Sequence, residues 1–240
     1  MRRFRRPAAE QRRGGDTYYE EKPCDEVAFR MVSTTCRRAE ARGRYIEEGA
    51  IMDEKKQVWK PGNMLYPVPA VMVSCGNKNG EKNIITIAWA GTICSDPAMV
   101  SISVRPERYS YAMIRETGEF VINLTTKELT YATDWCGVKS GRDVDKFKEM
   151  NLTAMPGEKL TYAPIIAESP VNLECRVQKE IPLGSHNMFL AKIEDVMISE
   201  KYMNENGKFE LNQTGLVTYS HGEYFVLGEK IGKFGYSVKK

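Results

Sequence analysis

Apolar and polar residues alternate in short runs from Met52 onward, and no such order precedes it. Runs of this length bounded by Gly, Pro, Asn and Ser read as β-strands separated by turns. Pro69–Gly76 is a strand that ends in the turn Asn77-Lys78-Asn79-Gly80, and Lys82–Ala90 is its partner. Ala98–Arg105 alternates cleanly, with Met99, Ser101 and Ser103 on one face and Val100, Ile102 and Val104 on the other. The spacing predicts a helix over Arg108–Glu116 closed by Gly118, a strand over Phe120–Leu124, and helical pieces over Lys127–Cys136 and Val144–Met150. Val171–Ile181 and His186–Ser199 are longer strands joined through Pro182–Ser185, and Glu223–Leu227 is a last short strand. The βαβ rhythm, the G-x-G-x-x-G fingerprint and the P-loop are all missing from the sequence, which disfavours a dinucleotide-binding Rossmann domain. Many β segments with a few inserted helices predict a mainly β, closed antiparallel barrel of Greek-key type.

Composition and charge divide the chain at the same place. Residues 1–51 contain twelve of the 35 Lys and Arg and nine of the 32 Asp and Glu, so they carry the whole net charge of +3 and leave the remainder balanced. This basic extension has neither helical nor strand periodicity, apart from a short helix expected near Val27–Arg38, and it buries too little to offset the entropy of ordering. Three readings of it stay open. It is a nucleic-acid-binding arm diluted by acid, an unusually acidic transit peptide, or translated sequence upstream of a native start at Met52. The balanced body, 52–240, gives no sign of a nucleic-acid surface, and the sequence contains no apolar run long enough to span a membrane. The six cysteines form no C-x-x-C pair, and His186 and His221 stand at no ligand spacing from them, so the thiols are expected reduced, mostly buried and metal-free, in a cytoplasm.

An ordered set of segments then narrows the fold. Met64-Leu65-Tyr66-Pro67-Val68-Pro69-Ala70 leads into a strand, followed by Asn83–Thr92 (N-I-I-T-I-A-W-A-G-T), Ser95-Asp96-Pro97 and S-I-S-V-R. Tyr109-Ser110, Glu119–Asn123 and Asp145-Lys146-Phe147 come next. In order and spacing these resemble the flavoredoxin branch of the flavin reductase-like, FMN-binding split-barrel family, over roughly Trp59 to Phe234. The resemblance implies a six-stranded Greek-key split barrel, a homodimer with FMN near the subunit interface, and electrons arriving from NAD(P)H or a redox protein.

Every residue that the resemblance points to also has a plainer reading. Ala90, Gly91 and Thr92 are small enough for close approach of the backbone to a flavin ring. Trp89 is a wall of the ring pocket or a barrel-core tryptophan. Asn83 matches a flavin-contacting asparagine, or closes the preceding hairpin. Ser110, at the expected helix start, binds phosphate or is an N-cap. Arg105, before Pro106, clamps phosphate or is a solvated surface charge. Lys146 and His186 match family residues that reach the flavin, against a surface lysine and a structural histidine. Phe189, Tyr219 and His221 are weaker candidates for the partner's wall of the pocket. No nucleophile–base pair is discernible, which suits chemistry carried by a cofactor. Three functions compete: a flavin-dependent oxidoreductase or carrier, a non-catalytic flavin-binding module, and a structural dimer with a decayed site.

Overall fold

The computed structural model describes residues 55–238. The basic extension, its expected helix and the Met52 boundary lie outside the described residues. In chain order the elements are β1 (Val68–Pro69), β2 (Val71–Gly76), β3 (Lys82–Ile87), β4 (Ala90–Ser95), β5 (Ala98–Val104), α1 (Tyr109–Thr117) and β6 (Glu119–Leu124). Then come α2 (Thr130–Val138), α3 (Lys146–Glu149), β7 (Ala154–Met155), β8 (Ile165–Ile166), β9 (Val171–Pro182), β10 (Asn187–Ile198), β11 (Val217–Ser220) and β12 (Glu223–Val226).

The largest sheet has seven strands, all antiparallel, in the order β3-β2-β6-β9-β10-β5-β4. Its two edge strands are consecutive in the chain, separated only by Ala88-Trp89. The three residue steps from Ile87 to Ala90 span at most about 11 Å, whereas seven flat strands would be roughly 29 Å across at about 4.8 Å per spacing. The sheet must therefore curl until its edges meet, which makes it a barrel. It is split at one place. β4 pairs with β5, and Ser103 N–H donates to Trp89 O at 2.9 Å, but β3 turns away to pair with β2.

The expected mainly β barrel is thus present, with seven strands in its sheet rather than six. The extra strand is β4. The sequence pattern ends the partner strand of Pro69–Gly76 at Ala90. The chain instead continues as a strand after a bend at Ala88-Trp89 and finds a new partner in β5. β11, short and irregular in pattern, was also not expected; it joins β1 and β12 in a small separate sheet.

Local chemistry accounts for the expected elements. Asn77 Oδ1 accepts from Asn79 N–H and Glu81 N–H, each at 3.0 Å, and Gly80 takes φ 86°, so the β2–β3 turn closes as its N-K-N-G composition requires. Gly118 ends α1 in the left-handed region at φ 70°, its N–H donating to Ile114 O. β2 is buried on both faces. Val71, Val73 and Cys75 face the barrel interior with Ile85, Ile102, Phe120 and Phe189. Met72 faces outward with Ile84, under a lid of Cys136 from α2 and Phe147 from α3. That second layer fixes where α2 and α3 sit, and through them the cavity described below.

The four described cysteines are free. Burial pushes the thiols of Cys75 and Cys175 up to about 12 and that of Cys136 up to about 11, so little thiolate forms near neutrality. Cys94, on β4, is only half-buried. Under native, mildly alkaline conditions iodoacetamide is expected to modify Cys94 and to spare the other three. Peptide mass spectrometry checks this; rapid labelling of Cys75 or Cys175 would contradict the burial.

Candidate functional site

Three adjoining cavities run along the split. The first, of about 350 Å³, is lined by Asn83, Arg105, Arg108, Ser110, Lys139 and Lys146 among others. The second, of about 160 Å³, lies in the wedge where β3 leaves β5, and shares Ile85, Arg105 and Arg108 with the first. The third, an open groove of about 460 Å³ with Met64, Leu65, Val68 and Leu183, shares Trp89, Ser103 and His186 with the second.

The first cavity is strongly cationic. Arg105, Arg108, Lys139, Arg142 and Lys146 line it against a single carboxylate, Glu107. Glu107 itself pairs with Arg105 at 3.5 Å. A turn in which Arg108 N–H donates to Arg105 O at 3.0 Å brings both guanidinium groups to the same mouth. Helix α1 starts there too. Its N-cap is Arg108, which makes no side-chain capping bond, and its first turn contains no acidic residue. The free N–H groups and positive dipole end of α1 therefore add to the field of the cations.

Lys146 is the innermost of these charges, at 4 % exposure. Asp145 caps α3 by accepting from Phe147 N–H and Lys148 N–H, which orients the turn carrying Lys146. The Lys146 ammonium donates to Ile84 O and to Cys136 O, both at 2.7 Å. The first acceptor belongs to edge strand β3, and the second is an otherwise orphan carbonyl in the last turn of α2, where a cation is favoured. Two of its three N–H donors are used. No carboxylate lies within salt-bridge distance among the described residues. Burial lowers its pKa from the ordinary lysine value.

Asn83 and Ser110 form the opposite wall. Asn83 Nδ2 donates to Ser110 Oγ at 2.8 Å, and both side chains are buried. Asn83 therefore does more than close the hairpin, and Ser110 is not the N-cap: that position belongs to Arg108. Gly141 lies against this pair so closely that a Cβ there would stand 2.1 Å from Asn83 Oδ1.

At the other end, His186 Nδ1 lies 2.9 Å from Ser185 Oγ. Burial, followed by the nearby Arg105 charge, lowers the His186 pKa. Trp89 is half-buried and outside the apolar core clusters, so it is not a barrel-core tryptophan.

The structure thus brings Asn83, Arg105, Ser110, Lys146, Trp89 and His186 to one connected trough. It does not bring Ala90, Gly91 and Thr92 to its walls. These residues open edge strand β4, where Gly91 and Thr92 are exposed and a Cβ on Gly91 would meet nothing within 4 Å. Phe189 is 1 % exposed in the barrel core and forms no part of a pocket wall. Tyr219 packs against Tyr66 and Tyr224, and His221 is exposed. Sequence reasoning missed Arg108, Lys139, Gly141 and Arg142. The trace it could have used is the K-S-G-R run directly after α2, a glycine between cations that nothing else in the pattern explains.

The Flavin reductase like domain matches residues 63–228. The chain belongs to that family. It is similar to the flavoredoxin of Desulfovibrio vulgaris (Miyazaki F), with 30% identity and a TM-score of 0.71 over 77% of this chain and 100% of that one. An uncharacterized protein of Archaeoglobus fulgidus is 30% identical across 67% of this chain and 88% of its own. An NADH-dependent FMN reductase of Streptomyces nodosus subsp. asukaensis is 23% identical across 57% of this chain and 71% of its own. The chain and the Desulfovibrio flavoredoxin thus share one fold. The described residues include no helix long and apolar enough to cross a membrane.

Proposed function

We propose that the protein is an FMN-dependent oxidoreductase or electron carrier. The observation that carries this reading is the order of the three cavities. A cationic end with the α1 N-terminus leads, through a narrow wedge, to an apolar groove beside Trp89 and His186. A ligand with a phosphate, a polar linker and a flat aromatic ring has the same order of chemistry. Arg105, Arg108 and the α1 N–H groups would hold the phosphate. Asn83 and Lys146 would present polar contacts along the cavity floor. Trp89 and His186 would flank the ring, with Met64 and Leu65 excluding water from one side. When bound, FMN supplies the hydride and single-electron chemistry, and the chain needs to contribute only binding, orientation and electrostatics.

A second copy of the chain completes the site in this proposal. The groove is open on one side, and Met64, Leu65 and Leu183 along it are exposed. Covering them would remove apolar area from water. The electron donor is NAD(P)H or a reduced redox protein.

The test is anaerobic mixing of FMN-loaded protein with each donor in turn, following the flavin absorbance. Bleaching by NADH or NADPH identifies a reductase, and bleaching only by a reduced protein identifies a carrier. A flavin that every donor leaves oxidised would overturn the oxidoreductase reading and leave a flavin-holding module.

A further inference from the structure

A line of aromatic rings leaves the trough and reaches the surface. Trp89, which lines both the wedge and the groove, has its ring centroid 6.2 Å from that of Tyr66. Tyr66 is 6.1 Å from Tyr219, and Tyr219 is 5.6 Å from Tyr224, its cross-strand partner between β11 and β12. At the far end, Tyr224 Oη donates to Asp134 Oδ1 at 3.1 Å, and Asp134 is exposed on α2. The four rings come from four separate segments: the β3–β4 bend, the chain before β1, β11 and β12.

The line runs outside the apolar core. None of the four rings belongs to the three apolar core clusters, and all four are only half-buried. Indole and phenol are, after thiols, the side chains that most readily give up a single electron. Each neighbouring pair is in aromatic contact, within the centroid range of offset and edge-on pairs. A phenol that loses an electron becomes a strong acid and needs a base at once. Among these tyrosines only Tyr224 has a carboxylate hydrogen-bonded to its hydroxyl. Burial, and then the bond to Asp134, push the Tyr224 phenol up to about 12, so in the resting state it keeps its proton.

We propose that Trp89, Tyr66, Tyr219 and Tyr224 form a relay that carries oxidising equivalents, one electron at a time, from the trough to the Asp134 surface. The oxidant is an oxygen-centred radical, of the class that arises where a reduced redox cofactor meets dioxygen. It takes one electron from the Trp89 indole and one proton from water, and is reduced to the corresponding hydroxyl compound. Tyr66 and Tyr219, both half-buried, each release the phenolic proton to water when oxidised and regain one when reduced, so that an electron passes inward in turn from Tyr224. Tyr224 finally loses its phenolic proton to Asp134 and is left as a neutral phenoxyl radical, which a thiol in solution reduces. The trough is spared the damage, and the radical is discharged at the surface. The need for such a relay rests on the redox reading of the trough, but its geometry does not.

The test uses the full chain free of flavin, so that failure of FMN binding cannot be mistaken for failure of the relay. Trp59→Phe and Trp135→Phe leave Trp89 as the sole indole. Pulse radiolysis in azide buffer generates azidyl radicals, which oxidise indole. The expected result is decay of the indolyl band with matching growth of the phenoxyl band, at a rate independent of protein concentration. Tyr66→Phe abolishes this conversion. Tyr224→Phe and Asp134→Asn slow its final phase and remove its solvent deuterium isotope effect. Circular dichroism verifies that each variant is folded. Conversion that survives Tyr66→Phe or Tyr224→Phe unchanged, or whose rate scales with protein concentration, overturns the relay.

Discussion

Lys146→Met is expected to weaken FMN binding about tenfold to 150-fold, as loss of a charged hydrogen-bond donor costs about 1.5–3 kcal/mol. Its ammonium is fixed by Ile84 O and Cys136 O and faces the cavity with one donor left. An exposed lysine would matter far less, because water and salt would screen it. The pH dependence gives a second readout with a definite sign. Burial lowers the Lys146 pKa relative to the unfolded chain. Between the lowered value and the ordinary value of 10.5 the unfolded chain therefore holds more protons than the native one. Stability of the flavin-free protein should rise with pH through that window, while FMN affinity should fall as the ammonium is lost. Lys146→Met should flatten both trends. Equilibrium titration by flavin fluorescence at a series of pH values, with thermal unfolding alongside, measures them. Unchanged affinity in a folded Lys146→Met protein would remove Lys146 from the site.

Gly141→Ala should destabilise the protein by about 1–3 kcal/mol, the usual cost of overpacking, and weaken FMN binding with it. The added Cβ would stand 2.1 Å from Asn83 Oδ1 and 2.5 Å from Asn83 Cγ. Asn83 cannot yield cheaply, because it is buried and bonded to Ser110 Oγ. The loop must move instead, and with it Lys139 and Arg142 at the cavity mouth. Asn83→Ala makes room, so the two substitutions together should cost less than the sum of each alone. Strict additivity in denaturant unfolding would show that the two residues do not meet.

Much of the barrel was legible because its strands have one clear partner pattern. Ala98–Arg105 alternates, and Gly118 stops a helix where it must. Lys82–Ser95 was harder. It is one bent stretch that serves two neighbours, β2 and then β5, and periodicity within a single segment contains nothing about a change of partner. The same bend opens the wedge, so the least legible part of the fold is the part that makes the trough. Asn83, Lys146 and Trp89 were found through the family resemblance. Their roles in the structure depend on long-range contacts: Asn83 with Ser110, Lys146 with the end of α2. Arg108 and Arg142 look in sequence like any surface arginine, and only the turn after β5 and the loop after α2 place them beside Arg105. Ala90–Thr92 show the converse. Small residues after a strand suggest close approach, but here Ala90 packs against the barrel core and Gly91 and Thr92 lie on an exposed edge.

The central claim is that the cationic end of the trough receives the phosphate of a flavin. Calorimetric titration of the flavin-free protein with FMN and with riboflavin, which differ by that phosphate alone, tests it most directly. FMN should bind at least about 100-fold more tightly, since two or more charged hydrogen bonds at about 1.5–3 kcal/mol each are at stake. Added salt should narrow the gap. Equal affinities for the two flavins, or no binding of either, would contradict the account.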